Sequence, residues 1–417
     1  MNIFDEIAFK PCDILIPKDS EIYDKWAVIA CDQFTSQPEY WEKVKEITTG
    51  FPSAFNIIFP EVYLENGNPD ETICFINSKM EEYLKEGIFQ TLKNSLVLLR
   101  RSFPGNNSSR KGLIAAFDLE AYDYSSDASS LIRATEGTVL DRIPPRVKIR
   151  QNASLETPHI MILIDDPNRT VIEPLFDKSL NKLYDFDLMC SSGHIEGYQI
   201  CAEEDIMQIA SALKLLRERS PLLYAVGDGN HSLASAKAHW ENVKKTLSPN
   251  ECQSHPARFA LAELVNVHDD SLLFESINRI CFNVSPQEFL EEFKMYYSDK
   301  PATASIQTFK YSYADIKGEI EIPNCSHSLE IGTLQEFLDY KMANTPGMKI
   351  DYIHGEDVVY ELSRTPNSIG FILPAMSKDL LFPSVEASGA LPRKTFSIGE
   401  ASEKRFYFEC RRISEGC

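Results

Sequence analysis

The sequence predicts a mixed α/β protein, and three observations support that prediction. Apolar runs of strand length recur at 96–101, 112–119, 159–164 and 221–226. Helical spacing alternates with them: Ile206, Ile209, Ala210, Leu213 and Leu216 share one face of 203–219. The third is a junction. The run Pro221-Leu222-Leu223-Tyr224-Ala225-Val226 ends in Gly227-Asp228-Gly229, after which Leu233, Ala236, Trp240 and Val243 share a helical face. Helix, strand, tight turn and helix in succession make an α/β unit.

The other elements follow in order. The first 60 residues are irregular and rich in aromatics and prolines. Within them, 25–34 reads as a strand ending in Cys31, Asp32 and Gln33. A helix opens at Ser36-Gln37-Pro38, with Ser36 or Gln37 near the cap and Pro38 in the first turn. Residues 70–86 form an amphipathic helix with Ile73, Ile76, Met80 and Leu84 on one face. The runs 96–101 and 112–119 pair as a hairpin across the turn-forming residues 104–110. The run 159–164 reads as a buried strand, with His159 at its start and Asp165-Asp166 at its exit. Further strands are expected at 259–267, 279–284, 369–373 and 405–410, with short strands in 301–333 and helices at 286–297 and 334–342.

A length of 417 residues exceeds the usual size of one domain. The chain reads as an N-terminal α/β region (1–125), a core bearing the Gly-Asp-Gly-Asn-His loop (126–270), and a C-terminal α+β region contributing a basic loop (271–417). The start of the chain has no basic segment followed by an apolar one, so a signal peptide is not expected. No apolar run approaches the roughly 20 residues that span a bilayer. A soluble, cytoplasmic protein is expected. The net charge of −20 disfavours nucleic acid as a partner.

The ten cysteines are scattered without a CxxC pair, and the eight histidines form no close pair. Reduced, mostly buried thiols and no dedicated metal site are expected. A magnesium ion carried in by a phosphate would leave no sequence signature.

The chemistry concentrates at the strand–helix junction. A helix start offers unpaired N–H groups and the positive end of the helix dipole, which favour an anion. Gly227 and Gly229 let the backbone approach a ligand closely. Ser232 is placed as the helix N-cap. Asp228, Asn230 and His231 supply polar groups, and the stretch reads either as a phosphate or nucleotide site or as a plain turn. Upstream, residues 100–150 hold nine cations, including Arg133 and Arg142, a density near twice that of the whole chain. Arginines in that number suit a small anionic ligand or ion pairing within the fold. Glu136 sits among hydroxyls and arginines, either as a general base or as a salt-bridge partner. Arg393 and Lys394 lie in a second basic loop that either reaches an anion site or is plain surface.

Three stretches in this order resemble the domain-of-unknown-function family "ten-fifteen": Ala134-Thr135-Glu136-Gly137-Thr138, Gly227-Asp228-Gly229-Asn230-His231-Ser232 and Gly389-Ala390-Leu391-Pro392-Arg393-Lys394-Thr395. Asp351-Tyr352-Ile353-His354-Gly355-Glu356-Asp357 is similar to the family as well. The family typically shows Asp-Gly-His-His-Arg after an apolar strand. Here Asn230 stands at the first His, Ser232 at the Arg, and Thr135 where a His commonly precedes the Glu. The resemblance implies a ParB/sulfiredoxin-like core with N- and C-terminal elaborations, similar to free serine kinases. It implies Asp228, Gly229 and His231 at nucleotide phosphates and Glu136 as base for a substrate hydroxyl.

The resulting expectation is a small-molecule phosphotransferase, similar to a free serine kinase, using ATP or ADP with Mg. Glu136, His231 and Asp228 would be catalytic. Gly227, Gly229, Asn230, Ser232, Arg133, Arg142, Arg393 and Lys394 would hold the nucleotide. A non-catalytic nucleotide or metabolite binder is the alternative, and a nucleic-acid binder or nuclease a weaker one. A small anionic or phosphorylated ligand is the expected partner, and a homodimer is left open.

Overall fold

The structure is a computed structural model that describes residues 2–64, 68–105, 108–301, 303 and 305–414. Asn106 and Asn107 of the expected 104–110 turn lie outside the described residues. The chain forms two compact units, Met1–Leu272 with Gly399–Cys417, and Leu273–Ile398. The three regions read from sequence do not map one to one onto these units. The first two share one sheet, and residues 399–417 return to the unit that holds it.

Among the described residues the large sheet of the first unit has eleven strands. In chain order they are β1 (Phe9–Lys10), β2 (Cys12–Pro17), β3 (Phe89–Ser102), β4 (Ser109–Asp118), β5 (Tyr122–Asp123), β6 (Ile132–Ala134), β7 (Met161–Ile164), β8 (Asn181–Asp187), β9 (His194–Ile200), β10 (Tyr224–Asp228) and β11 (Phe259–Asn266). Across the sheet the order is β8-β9-β3-β4-β11-β7-β10-β6-β5, with β1 on β4 and β2 on β3. Four helices of this unit are α1 (Pro38–Thr48), α2 (Pro69–Glu86), α3 (Glu203–Arg217) and α4 (Asn230–Val243).

Both faces of the sheet are covered, which explains its continuous apolar runs. Leu96, Leu98, Leu113, Ala115 and Phe117 belong to one core, with the α3 and α4 residues Ile206, Leu213, Leu233 and Trp240. Their strand neighbours Val97, Leu99 and Ile114 belong to a second core with Trp26, Trp41, Ile76 and Phe408. The period-two alternation thus separates two apolar layers rather than apolar from polar.

The hairpin, α1, α2, α3 and the strand–turn–helix junction form as the sequence predicts. The expected strand at 25–34 is mostly a different structure: Tyr23–Trp26 is helical and only Val28–Ile29 is extended. The cysteines also differ from expectation. Among the described residues Cys281, Cys325 and Cys410 are buried, whereas Cys74 and Cys201 are exposed. No helix among the described residues is long and apolar enough to cross a membrane.

Among the described residues the second unit has a six-stranded sheet. Its strands are β12 (Phe274–Phe282), β13 (Gln307–Tyr313), β14 (Ile316–Ile322), β15 (Lys349–His354), β16 (Ser368–Ile372) and β17 (Phe396–Ile398). They lie in the order β14-β13-β16-β12-β15, with β17 also paired to β12. The aromatic core of this unit centres on Phe289, Phe293, Phe337 and Phe371.

Candidate functional site

Strand β10 delivers Asp228 to the edge of the sheet. Its pairing with β7 slips between Val226 and Asp228, so Gly227 occupies a bulge that re-aims the strand end. Gly229 follows with φ of 78°. A Cβ there would stand 3.0 Å from Ile160 Cα and 3.1 Å from Ile160 Cγ1. Backbone conformation and space both require glycine. Gly229 is the N-cap of α4, so Ser232, expected in that role, lies inside the first turn. The left-handed glycine turns the chain into the helix before Ser232 is reached, and the Ser232 hydroxyl is engaged elsewhere.

Strand β6 runs parallel to β10 with Ala134 opposite Val226. The register carries Glu136 and Asp228 out at the same edge. Thr135 Oγ1 donates to the Val226 carbonyl at 2.6 Å, which pins the two strand ends together. The loop after Glu136 then folds over the start of α4. There the Val139 N–H donates to His231 Nε2 at 3.1 Å. That bond assigns His231 a neutral ring with its proton on Nδ1.

Strand β7 runs antiparallel to β10, with Met161 opposite Asp228, so its entrance lies at this edge too. His159, just before β7, therefore joins the site. His159 Nε2 is 2.7 Å from Ser232 Oγ. His159 Nδ1 is 2.8 Å from the Tyr407 hydroxyl, which also accepts the Cys31 N–H at 3.1 Å. The two rings meet edge to face with centroids 5.5 Å apart. Burial pushes the Tyr407 phenol well above its ordinary range, so it stays protonated.

Lys404 supplies the local cation. Its Nζ is 3.2 Å from Asp228 Oδ2, while Asp228 Oδ1 accepts the Gly229 N–H at 2.9 Å. Burial raises the Asp228 pKa, but Lys404, followed by His159 and these hydrogen bonds, outweighs it. The carboxyl is held below its usual range.

Lys404 and Tyr407 arrive on the returning chain. Phe406–Tyr407 pairs with Val28–Ile29. Arg101 donates to the carbonyls of Ser402 at 3.0 Å and Lys404 at 3.2 Å, and Arg110 to that of Glu403 at 3.0 Å. Arg405 pairs with Glu409, and Glu263 lies between Arg405 and Arg110. All five of these charged side chains are buried.

Of the two readings of the 100–150 cations, a small anionic ligand or ion pairing within the fold, this network favours the second for most of them. Arg101 and Arg110 hold the protein's own carbonyls. Arg100 pairs with Glu196, Arg146 with Glu61, Lys148 with Asp70 and Arg150 with Glu156. Arg133 is buried in β6, its Nε donating to the Ser130 carbonyl at 2.9 Å. Arg142 is exposed in the turn Leu140–Arg142. Arg393 and Lys394 belong to the second unit, where their side chains are exposed and their carbonyls accept from Arg279 Nη2 at 3.1 and 3.0 Å.

The strand edge thus gathers Glu136, Gly227, Asp228, Gly229, Asn230, His231 and Ser232. Sequence reasoning missed Lys404 and Tyr407, and it placed His159 only at a strand start. Two oxygens here suit a ligand. Asn230 Oδ1 and Thr138 Oγ1 are buried with no hydrogen-bond partner among the described residues. Together with Asp228 they are oxygen donors of the kind a hydrated Mg ion takes. The helix start and Lys404 suit phosphate oxygens. Elsewhere, Asp185, His194 and Glu196 bring ligand atoms within 4.8 Å of one another. Both acids already face cations, Asp185 with Lys182 and Glu196 with Arg100.

A family model described as protein of unknown function (DUF1015) matches residues 10–367. Comparison with curated proteins finds no match. Among solved structures, a free serine kinase variant in complex with ADP aligns at 10% identity and TM-score 0.40, covering 75% of this chain and 98% of that one. A free serine kinase in complex with AMP aligns at 10% identity and TM-score 0.39, covering 75% and 97%. A conserved hypothetical protein from Pyrococcus furiosus aligns at 10% identity and TM-score 0.37, covering 72% and 95%.

Proposed function

The chain belongs to the DUF1015 family of proteins of unknown function, and from that premise we propose that its first unit carries a small-molecule phosphotransferase site. The supporting observation is the convergence of Glu136, Asp228, Lys404 and the α4 N-terminus at one sheet edge, with the Glu136 loop tied to His231. Phosphoryl transfer needs positioning and charge stabilisation more than covalent chemistry from the protein, and this edge offers both.

In this reading the start of α4 and Lys404 hold the phosphates of ATP or ADP. Asn230 Oδ1, Thr138 Oγ1 and Asp228 take the hydrated Mg ion that neutralises phosphate charge. Glu136 accepts the proton of a small hydroxyl substrate, free serine being the first to test. The ParB/sulfiredoxin-like core, and Arg133 and Arg142 as further phosphate ligands, belong to the same reading.

The test is nucleotide turnover with ATP or ADP and Mg, with and without added serine. Turnover that rises with serine and falls about 10²-fold or more in Glu136→Gln supports the reading. Turnover indifferent to serine and to Glu136→Gln overturns it.

A further inference from the structure

We propose that Ser232 is a covalent phosphoryl carrier, with His159 as its general base and Tyr407 as a positioning residue. The inference rests on the phosphotransfer reading above and adds a second chemical step to it.

The geometry is that of an activated nucleophile: hydroxyl to imidazole, and imidazole to a third group that orients it. Ser232 Oγ and His159 Nε2 are 2.7 Å apart, and His159 Nδ1 and the Tyr407 hydroxyl 2.8 Å apart. The ring cannot swing freely. It stands edge-on to Tyr407, and His159 Cδ2 lies 3.4 Å from where a Cβ on Gly229 would sit. The phenol is itself fixed, being buried and accepting the Cys31 N–H.

The hydrogens can be arranged so that His159 acts as a base. The Tyr407 hydroxyl also contacts the Cys31 side chain. With the phenol proton directed at that sulfur, the phenol oxygen accepts both the Cys31 N–H and the His159 Nδ1–H. Nε2 then presents its lone pair to the Ser232 hydroxyl.

Ser232 is also where an anion is wanted. Its hydroxyl is not used for capping, because Gly229 is the N-cap. It lies in the first turn of a 14-residue helix, where the dipole favours developing negative charge on Oγ. Lys404 stands beside Asp228, which precedes Ser232 in the same loop, ready to face phosphoryl oxygens.

The step balances as follows. Ser232 Oγ attacks the terminal phosphorus of a nucleoside polyphosphate, and its proton passes to His159 Nε2. The Oγ–P bond forms. The bond from that phosphorus to the bridging oxygen breaks, and its electron pair leaves with the shortened nucleotide. The acceptor hydroxyl then loses its proton to Glu136 and attacks phosphorus. The P–Oγ bond breaks, and Oγ recovers its proton from His159.

The experiment uses the full chain, ATP or ADP labelled in the terminal phosphate, Mg, and no acceptor. The wild type is expected to gain one phosphoryl group on Ser232, located by peptide mass spectrometry and discharged when serine is added. Ser232→Ala abolishes the label. His159→Gln slows labelling about 10²-fold or more. Tyr407→Phe, which keeps the ring, slows labelling without weakening nucleotide binding. Serine-dependent turnover in wild type and Ser232→Ala alike, with no label on either, overturns the carrier and leaves direct transfer standing. Neither label nor turnover in the wild type overturns both readings.

Discussion

Val139 and His231 are joined by a single hydrogen bond, the backbone N–H of one donating to Nε2 of the other at 3.1 Å. The bond ties the loop after Glu136 to the first turn of α4, so His231 acts as a clamp on that loop. In His231→Ala the expected loss is about 1 kcal/mol of stability, the worth of one such bond. The melting shift given by ATP or ADP with Mg should vanish. An undiminished ligand shift in the mutant would remove His231 from the site.

Gly229→Ala is expected to cost about 1–3 kcal/mol, because φ is positive and the new methyl meets Ile160. Urea denaturation reads the cost directly. Nucleotide binding should fall with it, since relieving the strain moves the α4 start. Undiminished stability and full binding in Gly229→Ala would show the left-handed turn to be dispensable.

Lys404→Met leaves Asp228 without its cation, and the carboxyl pKa should rise. The wild-type pair contributes stability above the ordinary carboxylate range and loses it as pH falls through the depressed value in the fold. The mutant should therefore be less stable at neutral pH, by about 1–2 kcal/mol for a partly exposed pair, with the gap closing in acid. Asp228→Asn in the Lys404→Met background should recover part of the loss. An equal gap at all pH values would show that Lys404 acts by packing alone.

His239 on α4 is buried, and burial, with Arg150 and His255 adding to it, brings its pKa down from 6.5 to about 4. Between those two values the unfolded chain binds a proton that the folded chain refuses. Stability therefore falls as pH drops through that window, by up to about 3 kcal/mol. His239→Gln should flatten this part of the pH–stability curve. Parallel curves for the two proteins would contradict the assignment.

The strand–turn–helix junction was legible because its signals are local: an apolar run, two glycines, then helical spacing from Leu233 to Val243. Paired strand ends explain the rest. Glu136 joins Asp228 through the parallel register of β6 and β10, and sequence held both residues but not their adjacency. Lys404 and Tyr407 were invisible because they arrive by pairing with Val28–Ile29, far away in the chain. The roles of Arg101 and Arg110 stayed open because charge is written in the sequence and its partner is not. Apart from Glu263 beside Arg110, their acceptors are backbone carbonyls at 192 and 402–404, which carry no sequence signature at all. Ser232 misled for a third reason. A good capping residue lay one turn too late, after Gly229 had already begun the helix.

The carbonyl clamp of Arg101 and Arg110 also sets an order of events during synthesis. The chain leaves the first unit at Leu272 and re-enters it at Gly399. Until a ribosome has made every residue of 273–398, the nascent first unit lacks Lys404, Tyr407 and the three carbonyls of 402–404 that Arg101 and Arg110 hold. Domains generally fold as units and in order of synthesis, and here the earlier unit waits for the later one. A chain released prematurely within 273–398 would thus hold an unfinished site and two guanidinia short of their 402–404 carbonyls, a fit target for quality control.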